Sequence, residues 1–279
     1  MIDLHTHTNE SDGSCTPLEL VDRALAMGLD ALGISDHDTF AGYDQAVEPA
    51  HAYGLDLVCG IELSVRMTAR PRSVHVLAYF LHQPPSAEFR DWVNGLLETR
   101  RERNRGLVSK LQSMSVPIEL SEVERIGRTL TGRPHFARVL IQKGFASDYD
   151  DAFRRYFGES GPAFVERQGP TIAEAAAQVS AAGGLSVLAH PIRLGMHDAA
   201  AEDALIRELR DGGLRGIEVY HSDHAPADVR RYAALAEKYA LAVTGGSDFH
   251  GDAKPAVALG TGRNGNLDIP RSLLDLLRA

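Results

Sequence analysis

Short apolar runs alternate with stretches in which apolar residues recur every three or four positions, and the rhythm holds over the first 80 residues. Residues 2–5 read as a strand. Thr16-Pro17-Leu18-Glu19 then supplies an N-cap, a proline at the first helical position and a glutamate three residues on, starting a helix that runs to Met27 and stops at Gly28. Residues 31–35 form the next strand, 43–53 a helix ended by Gly54, 56–61 a third strand and 74–79 a fourth. Strand–helix alternation of this kind predicts parallel pairing and an α/β fold.

The rhythm breaks at His82-Gln83-Pro84-Pro85. From there to Gly169-Pro170 the patterns are helical, with a long arginine-rich helix over 88–114 and shorter ones over 135–143 and 149–157. Alternation resumes with a helix at 171–182, a strand at 185–189 and a helix at 201–211. A strand at 216–220, a helix at 227–239 and a strand at 242–245 follow. The pattern describes one α/β body, residues 1–82 and 170–279, interrupted by an all-helical insertion at 83–169.

Composition adds limits. At 279 residues, with 44% hydrophobic and 24% charged, the chain suits one large soluble domain or a domain with an insertion. Its apolar stretches are too short and interrupted to span a bilayer. Met1 leads straight into a strand without a signal-like segment, and Cys15 and Cys59 give no disulfide framework; both features predict a cytoplasmic protein. A net charge of −9 argues against general nucleic-acid affinity, so no stable duplex DNA binding is expected. The charge is uneven: residues 83–170 hold 14 basic and 12 acidic residues (+2), and the remainder 15 and 26 (−11). An acidic body with a mildly basic insert suits a metal centre facing a lid that attracts an anion.

Candidate chemistry gathers at strand ends. Asp3-Leu4-His5-Thr6-His7 closes the first run and Ser247-Asp248-Phe249-His250 follows the last. Neutral imidazole and carboxylate are ligands that divalent ions select. Positions i and i+2 of an extended chain point the same way, so His5 and His7 can grip one ion together. Asp36-His37-Asp38 follows the second strand, Glu62 the third, and His190 the run 185–189. His75 lies at the start of its run, an exception, and Asp12 falls in the first strand-to-helix loop. In α/β folds functional groups collect at the carboxyl ends of parallel strands, so these nine residues point to one shared site. A lone histidine after a strand is more often a core or capping residue, and His51, His82, His197 and His224 fall in that class. Asp36 or Asp38 also suits a helix cap. His221 and His224 are left open between lining the pocket and facing solvent.

These motifs carry a family resemblance. Asp3-Leu4-His5-Thr6-His7, Ser11-Asp12-Gly13, Ser35-Asp36-His37-Asp38, Gly60-Ile61-Glu62, Val74-His75-Val76, Ala189-His190-Pro191 and Gly245-Gly246-Ser247-Asp248-Phe249-His250 span the α/β body in order, and the chain thereby resembles the PHP (polymerase and histidinol phosphatase) family. The resemblance implies a distorted seven-stranded (β/α) barrel holding two or three divalent ions. One would take His5, His7, Glu62 and Asp248, a second Glu62, His75 and His190, and a third Asp12, His37 and His250. Mn²⁺ is the first choice, and Zn²⁺ and Fe²⁺ accept the same ligands.

Within the insertion, Leu130-Thr131-Gly132-Arg133-Pro134-His135-Phe136-Ala137-Arg138 and residues 100–105 resemble the PHP subgroup that hydrolyses nucleoside 3′,5′-bisphosphates and short oligoribonucleotides. The residues themselves suit a phosphate clamp. Arg100, Arg103 and Asn104 share one helix face, and arginine binds phosphate in bidentate fashion. Arg133 and His135 flank Pro134 at a helix start, where backbone N–H groups favour anions. Arg193 is placed to reach the reacting phosphate, whereas Arg101 and Arg105 also suit a solvated face paired with Glu98 and Glu102.

The expected activity is metal-dependent hydrolysis of the 3′-phosphate of a nucleoside 3′,5′-bisphosphate, and of short RNA from its 5′ end. Asp248 is expected to be essential, with His37 or His250 steadying or protonating the leaving oxygen. The chain contains neither a P-loop nor a Gly-x-Ser-x-Gly elbow, and neither cysteine sits in a catalytic thiol motif. A phosphatase for a small metabolite such as histidinol phosphate is the alternative enzyme. A non-catalytic metal-bound module of a larger assembly is the alternative from another class.

Overall fold

The computed structural model describes residues 1–67, 70–127, 130–158, 160–166 and 168–279, with residues 70–73 described by their backbone alone. Seven strands lie in chain order: β1 (Ile2–Thr6), β2 (Ala31–Ile34), β3 (Asp56–Met67), β4 (Arg70–Phe80), β5 (Leu185–Leu188), β6 (Gly216–His221) and β7 (Ala242–Gly246). β1, β2 and β3 pair in parallel, as do β5, β6 and β7. β4 breaks the expected parallel pattern, running antiparallel to both β3 and β5. Only two residues separate β3 from β4, far too few for the crossover that a parallel direction requires. Both strands also extend beyond the expected 56–61 and 74–79, because they pair with each other from Cys59 opposite Phe80 to Met67 opposite Arg70.

The two ends of the sheet meet. Just beyond β7, Asp248 N–H donates to His5 C=O (2.8 Å), and His7 N–H donates to Phe249 C=O (2.9 Å). A Cβ on Gly246 would stand 2.3 Å from His5 N, so this approach needs glycine. The result is a nearly closed seven-stranded barrel.

The outer helices are α1 (Pro17–Ala26), α2 (Ala41–Ala52), α7 (Ile172–Ala181), α8 (Ala199–Asp211), α9 (Pro226–Tyr239) and α10 (Arg271–Arg278). The Thr16 capping box forms as expected: Thr16 Oγ1 accepts from Glu19 N–H, and Glu19 accepts from Thr16 N–H at 2.8 Å. α10 was not anticipated. Its eight residues are too few for a clear period, and the barrel holds it through buried Leu274 and the Arg278–Asp56 pair.

Between β4 and α7 lie α3 (Ala87–Ser113), α4 (Leu120–Gly127), α5 (Arg133–Gln142) and α6 (Tyr149–Ala152), the last running into a π-helical turn at Phe153–Phe157. α4 was not anticipated either. Leu107, Leu111, Val123, Phe136, Leu140 and Phe157 bury one another in an apolar cluster of these helices. A second cluster lies between the strands and the outer helices. A third joins Ile2, Leu4, Val58, Leu77 and Val187, which come from four different strands and so occupy the barrel interior. Among the described residues, no helix is long and apolar enough to cross a membrane.

Candidate metal centre

The barrel interior changes from apolar to polar along its axis. In β3, Val58 belongs to the interior cluster, and Glu62, four residues on, shares its side; in β4, His75 and Leu77 share theirs. Because β4 runs antiparallel, the start of that strand lies at the same barrel end as the finish of β3. His75 pairs in register with Ser64 and reaches Glu62 Oε1 at 2.8 Å. The reversed strand thus removes the exception seen in the sequence.

β1 needs a different device. Three residue steps from Asp3 to Thr6 oppose two steps from Leu32 to Ile34, a β-bulge. Leu4 faces the interior cluster, yet the next residue, His5, reaches Glu62 and Glu218. Regular alternation would have turned His5 outward.

All nine candidate ligands converge. Nitrogen and carboxylate atoms of His5, His7, Glu62 and Asp248 lie within 4.8 Å of one another, as do those of His7, Asp12, His37 and His250 and those of His37, Glu62 and His75. Glu62 lies at the middle: Oε1 contacts His75 and His190 at 2.8 Å each, and Oε2 lies 3.2 Å from His7 and 3.2 Å from His37. Asp12 stands 3.2 Å from His250 and 3.7 Å from His37.

The electrostatics follow from this crowding. Burial disfavours charge on Asp12, Glu62 and Asp248, yet all three lie well below the usual carboxylate range: the histidines outweigh burial at Asp12 and Glu62, and Lys254 and Arg193, with His250 and His5 after them, outweigh it at Asp248. Burial also opposes charge on His7, yet Asp248 and Glu62 raise it to about 9. For His37 burial prevails over Glu62 and Asp12, and its pKa falls to about 3; His190 falls equally far through burial and the nearby Arg193 charge. Several buried atoms aimed into the cluster lack a hydrogen-bond partner, among them His5 Nε2, His7 Nε2, His37 Nδ1 and Asp12 Oδ1. Each such atom costs about 1–3 kcal/mol if nothing pairs with it. Converging orphaned nitrogens around ionised carboxylates fit divalent cations, which satisfy all of them together.

The supporting shell went unread in the sequence. Asp3 accepts from Ser247 N–H, Ser247 Oγ–H and Gly260 N–H, locking the Asp248 loop against β1. Asp36 accepts from Thr8 N–H and the Thr8 and Ser11 hydroxyls, holding the Asp12 loop. Neither Asp36 nor Asp38 caps α2, whose N-cap is Phe40. Asp38 instead accepts from Ser64 N–H and Arg100. Glu218 is fully buried beside His5, and its one signal was an acidic residue inside the apolar run Gly216-Ile217-Glu218-Val219-Tyr220. Lys254, 2.8 Å from Asp248, was also missed. Asp38, His190 and Asp248 all adopt positive φ, a strain that non-glycine residues keep where surrounding contacts enforce it.

A cavity of about 980 Å³ opens above the cluster. Asp12, His37, Glu62, His75, Asp248 and His250 line its floor, and Arg100, Arg103, Arg133 and His135 its helical wall. His135 Nδ1 accepts from Gly132 N–H, which leaves the ring proton on Nε2. Arg133 packs over the Phe153 ring and donates to Phe157 C=O. Arg100 is engaged by Asp38 and Ser64 Oγ, and Arg193 by Asp223 and Asp248, so both already hold carboxylates. Asn104 departs from expectation. It is buried, donates to Thr131 C=O and is absent from the cavity lining described. Arg101 pairs with Glu124 and Arg105 with Glu98, both on the surface. His221 and His224 neither face solvent nor line that cavity. They are buried, His221 behind Asp248 and His224 against Tyr232.

The chain is similar to proteins of known description along most of its length. The PHP domain profile matches residues 3–158. A 3′,5′-nucleoside bisphosphate phosphatase of Chromobacterium violaceum is 32% identical over 89% of this chain and 87% of its own. A 5′-3′ exoribonuclease of Haemophilus influenzae is 32% identical over 89% of both chains. Among solved structures, one from Bifidobacterium adolescentis assigned as a metal-dependent phosphoesterase superposes with a TM-score of 0.81 at 32% identity, covering 95% of this chain and 93% of that one. A Chromobacterium violaceum structure described as an amidohydrolase, with sulfate and no metal, gives 0.83 at 29% identity, covering 98% and 95%. The chain therefore belongs to the PHP domain family, and it is a phosphoesterase.

Proposed function

We propose that this enzyme removes the 3′-phosphate from nucleoside 3′,5′-bisphosphates and trims short oligoribonucleotides from the 5′ end. The observation that carries the reading is the division of one cavity between an acidic, histidine-rich floor and a basic wall contributed by α3 and α5. A monophosphate needs only the floor. A second phosphate needs positive charge set apart from it, which the wall supplies.

His5, His7, Glu62 and Asp248 are assigned to one cation, Glu62, His75 and His190 to a second, and Asp12, His37 and His250 to a third. We favour Mn²⁺. Cations held there lower the pKa of a water nucleophile and neutralise the phosphoryl oxygens. The protein does the rest. Residues 83–169 act as an inserted lid, whose Arg133 and His135 Nε2–H hold the non-reacting phosphate. Arg103 lines the same wall and adds charge. Arg193 reaches the reacting phosphate by exchanging one of its two carboxylates for a phosphoryl oxygen. Burial lowers the proton affinity of both His37 and His250, which disfavours either as the acid that protonates the leaving oxygen. Asn104 supports the wall by fixing Thr131.

Purified protein supplied with Mn²⁺ tests the reading against p-nitrophenyl phosphate and adenosine 3′,5′-bisphosphate. A much higher kcat/KM on the bisphosphate is expected. Equal rates on both sink the clamp and favour a phosphatase for small metabolites, and no turnover on any phosphoester sinks the assignment altogether.

A further inference from the structure

We infer that Glu218 is a positioning residue that sets the ring tautomer of His5 and the backbone of His190, and so aims two donors from different strands at one cation cluster. The inference rests on the assignment of His5 and His190 as metal ligands. Glu218 comes from β6, is fully buried and is not among the residues that line the cavity. A buried carboxylate needs hydrogen-bond donors, and Glu218 has one for each oxygen. Oε1 accepts from His5 Nδ1–H at 2.8 Å, and Oε2 accepts from His190 N–H at 2.7 Å.

The first contact decides which nitrogen of His5 is available. With its proton on Nδ1, the ring must present the Nε2 lone pair, and Nε2 is the atom that points between Glu62 (3.4 Å) and Asp248 (3.5 Å) without a hydrogen-bond partner. Carboxylates opposite the metal-facing nitrogen of a ligand histidine fix the ring in this way. The second contact bears on strain. His190 sits at φ 29 and ψ 62, a conformation that non-glycine residues hold only under external constraint. Its N–H is held by Glu218, its C=O accepts from Arg193 N–H at 3.0 Å, and its Nε2 meets Glu62 at 2.8 Å. One carboxylate therefore ties the end of β1 to the turn after β5 from behind.

Glu218→Gln separates these roles from simple packing. Its volume is kept, but the amide nitrogen cannot accept, so one of the two N–H groups faces a donor. Competition with a chelator, using Zn²⁺ alone as the probe, should show affinity weaker by about 10–100-fold, with an unchanged circular dichroism spectrum. A wild-type protein that takes up no Zn²⁺ overturns the cation assignment and this inference with it. Zn²⁺ uptake by wild type that the substitution leaves within twofold overturns the role of Glu218 alone. ¹⁵N NMR of Zn²⁺-loaded wild type, with the His5 signal identified by its loss in His5→Gln, needs no foldable Glu218 variant. It should show a proton on Nδ1, and a ring protonated on Nε2 refutes the inference.

Discussion

The Arg100 guanidinium, on the longest helix, donates to the fully buried carboxylate of Asp38 in the loop after β2, joining the helical segment to the barrel. Arg100 also donates to Ser64 Oγ at 2.9 Å, so the seam has an ion pair and a neutral bond side by side. Removing one partner strands the other away from water. Arg100→Ala is expected to cost about 3 kcal/mol of stability, since breaking a buried pair exceeds the value of the pair itself. Arg100→Ala with Asp38→Asn should recover part of that loss. Urea unfolding of the single and double variants checks this, and strictly additive losses contradict it.

Chemistry and recognition should separate in kinetics. Asp248→Asn is expected to abolish turnover of every substrate, because the carboxylate lies within 3.5 Å of both His5 and His7. Arg133→Ala should chiefly raise KM for bisphosphates while leaving p-nitrophenyl phosphate nearly unchanged. Similar losses on mono- and bisphosphates with Arg133→Ala would falsify that division.

Ion uptake should release protons. His7 has its pKa raised to about 9 in the metal-free site, so it carries a proton at neutral pH that a coordinated imidazole must lose. Apparent affinity should therefore climb by up to about tenfold per pH unit as pH rises towards 9 for this one proton. Titration calorimetry in buffers of different ionisation enthalpy reads the release directly, and a buffer-independent heat at pH 7 counts against it.

Acid should loosen the metal-free protein in two stages. Histidines 37 and 190 have pKa values depressed to about 3 from 6.5, so their contribution is complete above 6.5 and is lost as pH falls towards 3. Asp223 is depressed to about 2 from 3.8, with Arg193 and Arg263 overcoming the cost of burial; its contribution is present above 3.8 and fades as pH falls through 2. Chelator-treated protein should thus lose stability progressively below pH 6.5, with a further loss below about 4. Thermal melts across that range check the order, and a flat profile between 6.5 and 4 contradicts it.

Metal removal has a thermodynamic signature as well. Ions that bind the folded chain alone stabilise it by mass action, about 2.7 kcal/mol at a hundredfold excess over Kd. A chelator should lower Tm, and re-addition of Mn²⁺ should restore both Tm and turnover.

Much of this was legible along the chain because the relevant rules are local. Thr16 and Glu19 make a helix start wherever they fall before an apolar period, and the reciprocal cap formed. Histidine and carboxylate at the ends of apolar runs marked the cluster, since parallel strands bring their carboxyl ends to one side. What lay beyond reach depended on pairing. Nothing local tells whether β4 runs with or against β3, yet that direction brings His75 to the cluster. The bulge that turns His5 inward exists only through the register of β1 on β2. Asp3, Asp36 and Glu218 read as ordinary acids in a sequence, because what distinguishes them is the donor each meets from a strand or loop far away. Residue type and spacing are properties of the polymer and can be read in order. Strand direction, register and the partner of a buried charge are properties of contact, and they come into being only when the barrel closes.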